Sequence, residues 1–408
     1  MKSLRELYKI GYGPSSSHTM GPQKACALFR RAHPDAVRFK VTLYGSLALT
    51  GKGHLTDVVI RETLHDVDVV FDPSYVLAHP NTLDILGIAP DRSEYRWRVY
   101  SVGGGSIKIE GDDDDVTPDV YPHRSFEEIK AYCQEQGLRL HEYVERFEGP
   151  DIWKYLALVY QTMNDCISRG LKAEGTLPGE LGISRKAKML LSGILPHEPQ
   201  DITESRTVSA YAYAVSEENA SGHLVVTAPT CGSCGVVPAV MRYLKNRRRL
   251  TVKKCLEGLA AAGIIGNLIK HNASISGAIA GCQAEVGAAV AMAAALAADF
   301  DGLSLNAIDY AAEVSLEHHL GLTCDPVLGY VQIPCIERNA VGALRAIDAC
   351  GLACFLAESH RITLDMVIET MYQTGKDIHH KYRETAIGGL AEEYLKQFRK
   401  GKEGESHG

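Results

Sequence analysis

From Gly277 to Ala298 the chain runs through an apolar stretch built mostly of alanine and glycine rather than leucine and isoleucine. With so few large side chains, such a segment is stable only where neighbouring elements pack closely on every side. Gln283 and Glu285 fall inside it, and a lipid-facing helix excludes such groups. The stretch therefore reads as the buried central helix of a mainly helical domain, not as a membrane span. The same texture extends over everything after about Ser125, where apolar residues recur every three to four positions. Helices are predicted over 125–137, 139–148, 151–170, 184–193, 204–220, 235–247, 251–270, 276–299, 304–319, 335–357 and 362–376, with nothing that alternates like a sheet for long.

The first third differs. Met1–Ile10 reads as a short helix and Pro22–Ala32 as a longer one. Arg38–Tyr44 alternates polar and apolar residues as a half-buried strand does. Asp66–Phe71 and Glu94–Tyr100 read as further strands, and Ser101–Ile107 turns sharply and continues extended. The acids Asp112 to Asp115 mark a solvated hairpin tip or domain edge. The fold class is α+β: a small mixed α/β domain over 1–124, a larger mainly helical domain over 125–400, and a polar tail, 401–408, expected to be disordered.

A net charge of −7 with no basic domain argues against a nucleic-acid partner. The run Arg247–Arg249 reads as a solvated helix end. Met1–Ile10 alternates charge with apolar residues and lacks the uncharged core of a signal peptide. The chain has 11 cysteines, an odd number. That argues against a disulfide framework and for reduced thiols in a cytoplasm.

Three segments could carry chemistry. Gly11–Pro22 places Ser15, Ser16, Ser17, His18 and Thr19 in a loop before a helix. If Ser17 or Thr19 caps that helix, its free N–H groups favour a carboxylate. The plain alternative is a capped loop. Tyr44–Asp57 (YGSLALTGKGHLTD) can hold the His54 imidazole at a strand end, or simply form a solvated turn. In the helical part, Cys324 and Cys335 lie in proline-marked segments rather than helix interiors. Cys335 opens a predicted helix, where thiolate is favoured over thiol. With Cys282 they supply three thiolates, enough for three irons of a cubane cluster with the fourth left open. The spacings match no compact ferredoxin run, so core packing stays an open alternative. Cys350 and Cys354, four apart, read as core. Cys26, Cys133, Cys166 and Cys255 read as isolated thiols. Cys231 and Cys234 form C-x-x-C, either a redox or metal pair or two small buried residues.

Several long segments resemble one family. GPSSSHTMGP and YGSLALTGKGH are similar to the small β domain of the bacterial iron–sulfur L-serine dehydratases. APTCGSCGVVPAV, NASISGAIAGCQAEVG, CDPVLGYVQIPCIERN and TGKDIHHKYRETAIGGLA are similar to their helical α domain. The resemblance covers nearly the whole chain. It implies a [4Fe–4S] cluster on Cys282, Cys324 and Cys335, no pyridoxal phosphate, L-serine as the small-molecule substrate, and a homodimer. Some single-chain members end in a cysteine that caps the fourth iron. Here the tail is KGKEGESHG and the last cysteine is Cys354, so water or substrate is expected on that iron.

The reaction so implied eliminates water from L-serine, giving pyruvate and ammonia. His54 is the expected base for the α-proton. His18 stands second or orients the substrate. Ser15, Ser16, Ser17 and Thr19 are expected to bind the carboxylate or ammonium, with Asn272 and Lys376 as further candidates. Three other readings compete: a dehydratase acting on threonine or another small hydroxy-amino acid, a pyridoxal-phosphate lyase, and an iron–sulfur sensor. Ser184-Arg185-Lys186 lacks the lysine motif of the second, and no DNA-binding segment supports the third.

Overall fold

A computed structural model describes residues 1–73, 79–111, 118–193 and 195–405, with side chains to residue 397. The acidic run 112–115 lies outside the described residues. The chain opens on a 3₁₀ turn, Leu4–Glu6, and a short strand, β1 (Ile10–Tyr12). The helix expected over Met1–Ile10 is thus replaced by a turn and a strand. The reason is tertiary: Met1, Leu4, Leu7 and Tyr8 are buried in the helical core. β1 also pairs antiparallel with β7 (Leu224–Val226), Ile10 opposite Val226.

The small sheet comprises β2 (Arg38–Tyr44), β3 (Val67–Asp72), β4 (Thr82–Ile88), β5 (Glu94–Gly103) and β6 (Ser106–Ile109). Its order is β3-β2-β4-β5-β6, with β2 and β3 parallel and the other neighbours antiparallel. The alternation read in Arg38–Tyr44 is real. Phe39, Val41 and Leu43 are buried and their neighbours face outward. They meet the helices α1 (Gly21–Ala32) and α3 (Thr56–Leu64) through Ala25, Phe29 and Ile60. β4, the helix α2 (Gly45–Thr50) and α3 were not anticipated.

The helical part holds α4 (Phe126–Gln136), α5 (Leu140–Glu148), α6 (Ile152–Gly170), α7 (Ala187–Ser192), α8 (Gln200–Ala220), α9 (Val236–Arg248) and α10 (Val252–Asn272). It continues with α11 (Gly277–Ala280), α12 (Ala288–Phe300), α13 (Leu305–Glu317), α14 (Cys335–Leu356), α15 (Leu364–Asp377) and α16 (Gly389–Glu405). The last of these was not anticipated, and it carries the chain helically into the tail expected to be disordered. Every residue of α12 is buried. α12 packs against α9, α10, α13 and α14. Small residues permit the approach. A Cβ at Gly258 of α10 would lie 2.4 Å from Phe300 Cε1, and one at Gly266 would lie 2.6 Å from Met292 Sδ. The buried Asp299 carboxylate is paired with Lys254 (2.9 Å) and Arg139 (3.2 Å).

The helix expected over 276–299 is broken. α11 ends at Gly281, which has φ +74° and whose absent Cβ would lie 2.8 Å from Leu322 O. A wide π-type turn, Gln283–Gly287, then leads into α12. The break frees Cys282 from the helical ladder.

Two glycines test the packing argument. Gly170, at the end of α6, leaves room for α8: a Cβ there would sit 2.2 Å from Ala214 O. Gly170→Ala is expected to destabilise by about 1–3 kcal/mol despite better helix propensity. Gly351, exposed on α14 with nothing within 4 Å of a built Cβ, should gain about 0.5–1 kcal/mol as alanine. Urea unfolding midpoints moving in the same direction for both would contradict this packing.

Candidate active site

The first histidine sits on a wide turn, Ser16–Met20, that runs straight into α1. Ser15, not Ser17 or Thr19, caps it: Ser15 Oγ accepts from His18 N at 3.1 Å. His54 lies in the turn between α2 and α3. The two segments are laced by reciprocal bonds. Thr19 Oγ1 donates to His54 O (2.7 Å) and Thr56 Oγ1 donates to His18 O (2.7 Å). The imidazoles stack with centroids 4.4 Å apart.

Hydrogen bonding decides both tautomers. Ser46 Oγ donates its one proton to Glu384 O at 2.6 Å. It must therefore accept from His18 Nε2 at 3.0 Å, which leaves His18 Nδ1 with a lone pair that receives Ser17 Oγ–H at 2.9 Å. His54 Nδ1 lies 2.8 Å from Thr50 O, a pure acceptor, so Nδ1 carries the proton and Nε2 the lone pair. Both lone-pair nitrogens face the same atom, Glu384 Oε1, each at 3.5 Å.

Burial controls the charge of this group. It drives the His18 imidazole well below its ordinary value, with His54 adding to the effect. It brings His54 down to about 4, against the opposing bond to Thr50. Burial also holds the Glu384 carboxyl well above the carboxylate range, and Glu285 reinforces that. Glu384 Oε2 is buried with no hydrogen-bond partner among the described residues.

Glu384 is tied to the thiols by backbone bonds. Its N–H donates to Cys324 O at 2.8 Å, and Cys324 N donates to Tyr382 O at 2.8 Å. Cys282, Cys324 and Cys335 line one cavity together with Ser15, His54, Glu285 and Glu384. Its free volume is about 10 Å³, room for about one water. A hydrogen bond from Cys324, and then the charge of Arg338, bring the Cys282 thiol down to about 6. Cys335 does open α14, but burial pushes its thiol up. The thiolate preference expected there from the helix N-terminus is overridden by desolvation. Arg338 is held by Thr323 O (2.6 Å) and Asp325 Oδ1 (3.1 Å) beside the thiols. Glu285 accepts from Thr230 Oγ1 at 2.7 Å and is pushed up to about 8 by burial and by Cys282. Gly277 leaves its space empty beside them: a Cβ there would meet Glu285 Oε2 at 2.8 Å and Cys324 Sγ at 3.1 Å. Three converging thiols, a half-buried compensating arginine and a cleared wall fit a thiolate-bound metal cluster.

Ser15 thus lines the cavity and Ser17 bonds His18, whereas Ser16 is buried in the turn and Thr19 holds the His54 backbone. Asn272 and Lys376 line no part of it. Asn272 Nδ2 donates to Arg124 O (2.7 Å), and Lys376 lies over the Tyr372 ring (3.6 Å). Cys231 and Cys234 sit in an apolar cluster with Met20, Cys166 and Val215, and only the intervening Gly232 reaches the cavity. Cys350 is core, but Cys354 is exposed. Sequence reasoning missed Ser46, Glu285, Arg338 and Glu384. Glu285 stood out as an acid within an apolar run. The others carried no signal beyond membership of the quoted segments.

The buried pair makes a direct expectation. In the metal-free chain, the His54 ring ¹H and ¹³C shifts should stay flat from about pH 8 to pH 5, where an ordinary imidazole has titrated. A midpoint near the ordinary value in an NMR titration would contradict the burial.

Comparison with known proteins bears on this arrangement. Residues 115–391 match the family model of the serine dehydratase alpha chain, and residues 3–69 match that of the beta chain. The L-serine dehydratase 1 of Escherichia coli is 42% identical over 96% of this chain and 99% of its own length. The L-serine dehydratase of Haemophilus influenzae is 40% identical over 96% of this chain and 99% of its own, and that of Helicobacter pylori is 38% identical over 95% and 98%. With one chain carrying both matched regions, and its thiols and histidines gathered at one cavity, the protein belongs to the serine dehydratase family.

Proposed function

We propose that the chain is an L-serine dehydratase, converting L-serine to pyruvate and ammonia at the cavity between the three cysteines and the two histidines. One observation carries the reading. A neutral imidazole, its lone pair turned inward by the Thr50 carbonyl, stands on the wall of the cavity that the three thiols line.

Elimination from serine needs an acceptor for a weakly acidic α-proton and help for hydroxide as a leaving group. His54 Nε2 is the acceptor. The Nδ1–H bond to Thr50 O steadies the charge the ring gains, as a fixed carbonyl dipole does for a protonating imidazole. Glu384 Oε1 stands 3.5 Å from Nε2, where its partial negative charge steadies the ring once it is protonated. Ser15 Oγ reaches the cavity for the substrate carboxylate. Thr19 and Thr56 keep the two histidine segments in register through His54 O and His18 O.

Cys282, Cys324 and Cys335 would hold a [4Fe–4S] cluster, and Arg338 offsets part of the thiolate charge. When bound, that group supplies a Lewis-acidic iron, which lowers the cost of hydroxide departure. In the balance, L-serine loses the Cα proton and the Cβ hydroxyl as water. The aminoacrylate so formed becomes the imine and hydrolyses to pyruvate and ammonia. The reading includes a homodimer and a reducing, cytoplasmic setting. The free state of all 11 cysteines supports the latter.

The test is anaerobic reconstitution with iron and sulfide, followed by assay with L-serine, L-threonine and D-serine. Pyruvate from L-serine is expected. Its absence from a reconstituted protein would sink the reading, and faster turnover of L-threonine would shift it to the neighbouring substrate. His54→Ala should retain iron and sulfide but lose at least about 100-fold in kcat. Cys282→Ala should lose the broad visible absorption itself, and an intact spectrum there would refute the ligand set.

A further inference from the structure

The two histidines and Glu384 have a geometry that the elimination reaction does not explain. Oε1 of Glu384 lies 3.5 Å from His18 Nδ1 and 3.5 Å from His54 Nε2. That is long for a hydrogen bond, where 2.7–3.2 Å is usual. It is the spacing between donors around one small cation. With metal–ligand bonds of roughly 2.0–2.2 Å, a tetrahedral site places neighbouring donors about 3.3–3.6 Å apart. All three donor atoms lie within 4.8 Å of one another, and all three residues are buried.

The surroundings agree. A metal-binding imidazole presents one lone pair and has its other nitrogen held by a second group. The far nitrogens are so held: His54 Nδ1 by Thr50 O at 2.8 Å and His18 Nε2 by Ser46 Oγ at 3.0 Å, and the Ser17 hydroxyl that donates to His18 Nδ1 at 2.9 Å turns away to admit the ion. Glu384 Oε2 is buried without a partner among the described residues and is available as a second carboxylate donor or to a bound water. Glu384 itself has φ +57°, a left-handed backbone rare for a side chain of this size. Backbone bonds to Cys324 and to Ser46 Oγ hold it there. Strain kept at one residue, with its carboxyl turned toward two lone pairs, is the mark of a site that uses that residue.

We propose that His18 Nδ1, His54 Nε2 and the Glu384 carboxylate form a binding site for a divalent cation of the Zn²⁺ class, separate in its donor set from the three thiols. An ion there takes the place of the carboxyl proton, which leaves to solvent. It also occupies the lone pair of His54, so the bound cation shuts the site to the amino acid. This last consequence rests on His54 being the base; the site itself does not.

The experiment uses the full chain with its iron–sulfur centre assembled anaerobically, one equivalent of Zn²⁺ added, and the zinc K-edge absorption spectrum recorded. The expected first shell is nitrogen and oxygen only, at about 2.0–2.2 Å, with imidazole outer-shell scattering. Sulfur at about 2.3 Å, which would put the ion on the thiols, overturns the proposal, as does failure to retain zinc. Glu384→Gln should weaken zinc binding at least tenfold, on the scale of about 10–100-fold seen when a ligand's support is lost; unchanged affinity overturns it too. In parallel, L-serine turnover is followed with and without zinc. Inhibition that a chelator reverses and L-serine competes against is expected. A nitrogen–oxygen shell in a protein that never turns over L-serine would leave the cation site standing and remove the dehydratase reading. Zinc bound in that shell without inhibition would remove the blocking role.

Discussion

Desolvation is the interaction on which this structure turns. Two imidazoles, two carboxyls, an arginine and three thiols are withdrawn from water around one cavity. Each would be costly alone. The cost is met in two ways. Some groups stay neutral: burial moves the histidines down and the carboxyls up, so that none of the four need carry charge. The remaining charges compensate one another, Arg338 standing beside the one thiol that burial fails to raise. The same low-dielectric setting strengthens each oriented dipole, so the single bond from His54 to Thr50 O can decide which nitrogen faces the cavity.

The scaffold has to bring distant segments to that point and hold them without slack. Small residues do most of this. Glycines on α10 let it lie against α12 within a distance that a methyl group would forbid. Alanine makes up most of α12, every residue of which is buried. Gly281 breaks the ladder where a cysteine is wanted. On the other side, the histidine segments are fastened to each other by threonine hydroxyls and to the strap around Glu384 by Ser46. The strap is itself fastened to Cys324 by backbone bonds. Residues nearly the whole chain length apart are therefore linked through few intermediates, and a displacement on either side is felt on the other.

Much of the architecture was open to reading from the residues. The alternation in Arg38–Tyr44, the small-residue run after Gly277 and the three-to-four spacing beyond Ser125 each report burial on one face or on all. Burial pattern is a local property of sequence. The α+β class and most helices follow from it, whereas the candidate residues came from loop motifs and from the family resemblance. The errors share one cause. The first ten residues, helical by local pattern, are drawn into a turn and a strand by their place in the helical core. The run over 276–299, continuous by composition, is broken because Leu322 O and Gly281 meet. Cys335, favoured as thiolate by its helix position, is governed by its depth instead.

What the sequence alone determined, then, was which segments are buried and which residue types are on hand, because periodicity and composition encode them directly. What only the tertiary structure decided was the charge, tautomer and aim of those groups. Glu384 is one acid among many in the chain until the fold sets its Oε1 between two imidazole lone pairs. Asn272 and Lys376 are plausible polar residues until the fold points them elsewhere. Protonation and direction depend on the distance to partners far along the chain and on the water excluded between them, and neither is a property of any local stretch of residues.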